Sequence, residues 1–110
     1  RALKARTLLA RDFEAAFRRV DVLATPVSPS TAFPLGEKTS DPLAMYLADI
    51  FTVTMALAAL PALSIPAGFS DGMPVGLQLM GPSLSDVRLL EVAAAFQELT
   101  DHHLQKPLMA

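Results

Sequence analysis

Apolar side chains recur at Leu9, Phe13, Phe17 and Val20, spacings of four, four and three that fall on one face of a helix over residues 2–19. Lys4, Arg11, Arg18 and Arg19 lie mostly off that face, and Asp21 breaks the pattern. Val22-Leu23-Ala24-Thr25 is a short apolar run closed by Pro26, which predicts a strand. Residues 26–40 carry Pro26, Pro29, Pro34 and Gly36 among Ser and Thr and predict an irregular loop. Asp41-Pro42 signals a helix start: Asp caps free backbone N–H groups, and Pro suits the first helical position because its missing N–H has no partner there anyway. This helix is expected to run to about Phe51, with a second helical stretch over about 53–59 stopped by Leu60-Pro61. Ala62-Leu63-Ser64-Ile65 reads as a strand. Ser70-Asp71-Gly72 supplies turn chemistry. Val75, Leu77 and Leu79 alternate with Gly76, Gln78 and Met80, so 74–80 is expected to pair back on 62–69 as a hairpin. After Gly81-Pro82, Ser83 and Asp86 resemble a capping arrangement. Leu89, Ala93, Phe96 and Leu99 then mark one face of a last helix, with a loosely held tail from His102.

Composition adds a tension to this pattern. The chain has 110 residues, 52% of them hydrophobic, and a mean hydropathy of +0.39. A body this small has proportionally more surface to cover with polar groups. The excess is accounted for by an Ala- and Leu-rich core or by an apolar face that packs against further sequence. The sequence opens on Arg1 rather than Met, the expectation for a processed or truncated product. The formal net charge is −2 and no basic run exceeds Arg18-Arg19, which argues against direct nucleic-acid binding. There is no cysteine, so disulfide and thiolate chemistry are excluded, in keeping with the cytoplasm. The apolar run over 50–65 is interrupted by Pro61 and Ser64 and is too short for a membrane span.

Candidate chemistry is sparse. Ser64, His102 or His103, and Asp101 make a hydrolase triad only on paper: Ser64 lies inside a predicted strand, without the strand-to-helix elbow that exposes a nucleophile. The histidines follow a helix C-terminus, where capping or solvation is the simpler role, and two adjacent histidines without a third ligand do not make a zinc site. Pro66-Ala67-Gly68 and Gly72-Met73-Pro74-Val75-Gly76 lack the Lys-Ser/Thr and the following helix of a phosphate loop. Asp49, between Met45-Tyr46-Leu47-Ala48 and Ile50-Phe51, is either a solvated helix carboxylate or a paired one in a sheltered site. Tyr46 sits on the same face, within bonding reach. Gln78 faces away from Val75, Leu77 and Leu79 and reads as a surface or loop-bracing amide before a ligand contact.

Arg6-Thr7-Leu8 with Asp12-Phe13, Val20-Asp21-Val22, Thr25-Pro26, Gly36-Glu37-Lys38, Asp41-Pro42-Leu43-Ala44-Met45-Tyr46 and the stretch from Leu60-Pro61 to Gly81 together resemble the C-terminal part of amidase-signature enzymes. Within that family the match is to the A subunits of tRNA-dependent amidotransferases acting on Glu-tRNA(Gln) or Asp-tRNA(Asn). The resemblance implies an α/β fold: residues 1–110 would be the C-terminal segment of an amidase-signature domain, two or three strands of a larger mixed sheet, including a hairpin, packed with helices. It implies a Ser-Ser-Lys triad outside this chain, so no residue here inherits a catalytic role and the segment alone is expected to be inactive. By its place in Tyr46-Leu47-Ala48-Asp49-Ile50-Phe51-Thr52, Asp49 matches the family carboxylate that holds the substrate's α-ammonium. A paired carboxylate in a dry pocket recognises the zwitterionic head of glutamine and rejects simple amides. The companion arginine is expected before Arg1.

The same resemblance implies partners: the N-terminal remainder of the domain, B and C subunits, and glutamine. ATP and Mg would be used by the partner subunit, with no cofactor or metal in this segment. Ala56 and Ala59 depart from the family pattern, which often has Asn and Gly there. Ala56 removes an amide's hydrogen bonds, and Ala59 places a Cβ where glycine tolerates positive φ. The alternatives are another amidase-signature hydrolase of small amides and a non-catalytic interaction module.

Overall fold

The computed structural model describes residues 1–37 and 40–108. Lys38, which belongs to the Gly36-Glu37-Lys38 motif and the 26–40 loop, lies outside the described residues, as does the end of the tail. The elements in chain order are α1 (Ala2–Phe17), β1 (Leu23–Pro26), α2 (Pro42–Ala48), α3 (Ile50–Leu57), β2 (Ala62–Ser70), β3 (Met73–Met80), α4 (Asp86–Leu99) and a 3-10 turn (His102–Leu104).

The three strands form one antiparallel sheet in the order β1-β3-β2. The hairpin turns on Asp71 (φ 50°) and Gly72 (φ 77°) between the paired Ser70 and Met73. Both central residues have positive φ, the twist that suits a two-residue hairpin and the reason Asp-Gly favours it. Pro26 lacks a ladder donor and is tolerated because β1 is an edge strand. Alternation sorts the sheet into two faces. Ile65 pairs with Leu77 and Leu63 with Leu79, and these point to the face covered by α4. Ile65, Leu79, Leu89 and Ala93 form the buried cluster there, and Leu89 is 1% exposed. The opposite face carries Ser64, Gln78 and Thr25 in one cross-strand row.

Local chemistry explains most boundaries. Asp41 caps α2, its Oδ1 accepting from the N–H groups of Leu43 (3.1 Å) and Ala44 (3.2 Å), with Pro42 in the first turn. Several elements differ from the sequence expectation. The helix begun at Asp41 ends at Ala48, not Phe51, and the next starts at Ile50, not 53, because the backbone bends at Asp49 (φ −98°, ψ 7°). Helix α1 stops at Phe17 and leaves Val20 outside it. Ser83 does not cap α4: the chain first turns through Pro82, whose carbonyl accepts from both Ser85 N–H (3.1 Å) and Ser85 Oγ (2.6 Å), so Ser85 flanks the helix without a side-chain cap. The tail from His102 is not loose at its start. The 3-10 turn packs on β2, with His102 against Phe96 (centroids 6.1 Å apart) and the backbone at Gly68.

The result is a slab of 46 × 41 × 17 Å with a radius of gyration of 15.9 Å. A globular body of this length has about 13 Å. Its accessible surface is 8190 Å², against about 5,900 Å² for a folded chain of 11.7 kDa. The excess is apolar in character. Helices α1, α2 and α3 bury no residue, and Leu3, Leu8, Leu43, Ile50 and Leu57 are exposed. Of the two accounts of the high hydropathy, the exposed apolar face is the one the structure has.

Candidate substrate-binding site

Asp49 occupies the joint between α2 and α3. Its N–H bonds to the Tyr46 carbonyl (3.2 Å) and closes the first helix. Its own carbonyl accepts from Thr52 N–H (3.0 Å), Val53 N–H (3.1 Å) and Thr52 Oγ1 (3.2 Å), which opens the second. The backbone is therefore held from both sides, while the carboxylate makes no cap bond and the residue is exposed. The link to Tyr46 runs through the backbone, and Tyr46 is 71% exposed. The root of this side chain is fixed and its head is open to another group, an arrangement that fits both a binding carboxylate and a solvated one.

Gln78 sits below this joint and is 3% exposed, so it is not a surface amide. Its Nε2 donates to the Phe51 carbonyl (2.7 Å) and to Thr25 Oγ1 (3.0 Å). Thr25 in turn donates to the Pro26 carbonyl (2.9 Å). A carbonyl only accepts, so the bond to Phe51 fixes which end of the amide faces α3. Sequence alternation places Gln78 on the correct face. The contact with Phe51, 27 residues away, has no local signal.

The triad of Ser64, a histidine and Asp101 is not assembled. Ser64 and His102 both line a cavity of about 380 Å³, but His102 Nδ1 is buried without a partner. Asp101 precedes the 3-10 turn and makes no side-chain cap bond. His103 is exposed and does not cap α4. Among the described residues no group of three or more His, Cys, Asp or Glu side chains is placed to hold a metal ion, and no helix is long and apolar enough to cross a membrane. A second cavity of about 680 Å³ is walled by residues 26–33 with Ser64, Ser70 and residues 74–76, and Asp49 is not among its walls. Gly76 is needed beside it: a Cβ there would stand 2.9 Å from Val27 Cγ2 and 3.0 Å from Ser64 Oγ.

The family model described as Amidase matches residues 1–90. This chain belongs to the amidase family. It is 56% identical over 107 residues to the A subunit of the glutamyl-tRNA(Gln) amidotransferase of Moorella thermoacetica, covering 97% of this chain and 22% of that protein. The crystal structure of the glutamyl-tRNA(Gln) amidotransferase A subunit from Thermotoga maritima superposes with a TM-score of 0.82 at 41% identity, covering 86% of this chain and 21% of that one. An allophanate hydrolase of Kluyveromyces lactis superposes with a TM-score of 0.77 at 28% identity, over 96% of this chain and 19% of that one. The amidase-family chain thus spans about a fifth of the length of the relatives it matches.

Proposed function

We propose that this chain is the C-terminal segment of the A subunit of a tRNA-dependent amidotransferase, the subunit that hydrolyses glutamine and supplies ammonia. The observation that carries the reading is the 56% identity to a glutamyl-tRNA(Gln) amidotransferase A subunit over 97% of the chain, well above the 28% identity to the allophanate hydrolase. In this reading the Ser-Ser-Lys machinery lies in the rest of the domain, which packs on the exposed apolar face of α1–α3, and the segment alone is inactive. The B and C subunits complete a cytoplasmic complex. The B subunit uses ATP and Mg to activate Glu-tRNA(Gln) or Asp-tRNA(Asn) for amidation.

Asp49 forms one wall of the glutamine pocket and its carboxylate holds the α-ammonium group. Its fixed backbone and open head support that role. Enclosed by the rest of the domain, the charge pair is sheltered from solvent. Asp49→Asn in the full-length complex then costs roughly 2–4 kcal/mol of glutamine binding, on the order of 30- to 1,000-fold in KM. Supplied ammonia bypasses the defect. A glutamine KM within about twofold of the parent, roughly 0.4 kcal/mol, would make Asp49 a solvated helix residue and remove its binding role.

A further inference from the structure

We infer that Gln78 is a positioning residue for substrate binding: it fixes the first turn of α3, and through it the carboxylate of Asp49. The inference rests on the substrate role proposed for Asp49.

Phe51, whose carbonyl receives Gln78 Nε2 at 2.7 Å, stands two residues after Asp49 in the same turn. That turn is welded to Asp49 by the three bonds its carbonyl accepts from Thr52 and Val53. A displacement of Phe51 is therefore a displacement of Asp49. The anchor beneath is stiff. Gln78 lies on the central strand of the sheet, paired on one side with Thr25 and on the other with Ser64. Its second N–H is held by Thr25 Oγ1, so the amide plane cannot rotate without losing a bond. Both amide hydrogens are spent on one helix and one strand, in a residue 3% exposed. Little else holds this helix to the sheet. Helix α3 buries no side chain, and its other end is tied by Arg6 Nε to the Leu57 carbonyl (2.9 Å), a contact with α1 and not with the sheet. A polar brace is the fitting device here: α3 has no buried side chain to set its position by packing, and a short directional bond sets both the distance and the orientation of the Phe51 carbonyl.

The test is a double-mutant cycle in the full-length amidotransferase complex, reading kcat and KM for glutamine and the rate with ammonia as nitrogen source. Gln78→Met keeps the volume and removes both donors. It should raise glutamine KM roughly tenfold or more, as expected when a binding group is displaced by about an ångström, with the ammonia-driven rate unchanged. In the Asp49→Asn background the same change should add little, because the carboxylate it positions is gone.

A second variant covers the case in which Gln78→Met does not fold. Gln78→Glu keeps the shape, donates one O–H to the Phe51 carbonyl when neutral, and repels it when ionised. Burial raises the pKa of such a carboxyl, so its glutamine KM should climb with pH relative to the parent. Four outcomes overturn the inference: a glutamine KM within about twofold of the parent for Gln78→Met, roughly the resolution of the cycle, a parallel fall in the ammonia-driven rate, full multiplicative effects in the double mutant, or a pH-independent KM for Gln78→Glu. A silent Asp49→Asn is a separate result, which removes the binding role of Asp49 and this inference with it.

Discussion

Ala59→Gly should tighten the end of α3. Ala59 has φ 57°, in the left-handed region, and stands just past the helix's C-cap, Ala58. Its N–H bonds to the Ala56 carbonyl (3.1 Å) and the Leu60 N–H to the Met55 carbonyl (3.1 Å). These are the two bonds of a Schellman C-cap, with Ala59 in the position that normally takes glycine, and Pro61 follows to stop the helix. The left-handed conformation costs an L-residue about 1–2 kcal/mol. Glycine's greater freedom in the unfolded chain offsets about 0.4–1 kcal/mol of that. Ala59 is exposed, so removing its methyl group forfeits little packing. The net expectation is about 0.5–1 kcal/mol in favour of the cap. Hydrogen exchange on the full-length protein reads this locally: protection of the Ala59 and Leu60 amides against fraying should rise about two- to fivefold. Ala59→Val should lower it, because a β-branched residue tolerates positive φ least. If glycine leaves these amides unchanged or less protected while valine is harmless, the left-handed cap does not exist in the protein.

Two further predictions concern packing. Gly81→Ala should destabilise by about 1–3 kcal/mol, the usual range for overpacking, because the new Cβ would overlap Ser85 Oγ and stand 3.2 Å from Leu89 Cδ2, the most buried side chain of the core. Chemical denaturation of the full-length protein checks it, and an unchanged midpoint would refute the close approach. The isolated 110-residue chain should release no ammonia from glutamine above a boiled control, bind a hydrophobic dye and self-associate, since its surface exceeds that of a compact body by an amount typical of a large interface. A monodisperse monomer that binds no dye in sedimentation would count against a missing packing partner.

The elements legible in the sequence are those whose cause is local. Asp41-Pro42 starts α2 because a carboxylate caps and proline fits the first turn. Asp71-Gly72 turns the hairpin because both residues accept positive φ. Leu77 and Leu79 face α4 because strands alternate. The rest depends on contacts distant in sequence or on geometry with only a weak residue signal. No proline or glycine in Ala48-Asp49-Ile50 announces the bend; the signal there is weaker, a cap-favouring Asp49 followed by the low-propensity run Ile50-Phe51-Thr52-Val53-Thr54. The capping resemblance at Ser83 fails because it matches residue types at a spacing, whereas Pro82 first drives a turn that moves the helix start to Asp86. His102 reads as free in the sequence because it follows a helix end, but the ring of Phe96 and the open backbone of Gly68 give it a seat.

Gln78 and Ala59 together show how the chain divides rigidity around Asp49. One end of α3 is fixed to the sheet by one short bond from a buried amide, whose other N–H is held within the sheet by Thr25. The other ends in a strained left-handed alanine, tied by its own cap and by an arginine from α1. Strain is tolerable at the far end because the whole length of α3, from Ile50 to Leu57, lies between it and Asp49, so motion there need not reach the carboxylate. At the near end the same strain would shift Asp49 directly. Stabilising the far cap with Ala59→Gly should therefore leave glutamine KM unchanged while Gln78→Met raises it. Equal sensitivity of KM to both ends would mean that α3 moves as a free rod and that the sheet does not hold the site.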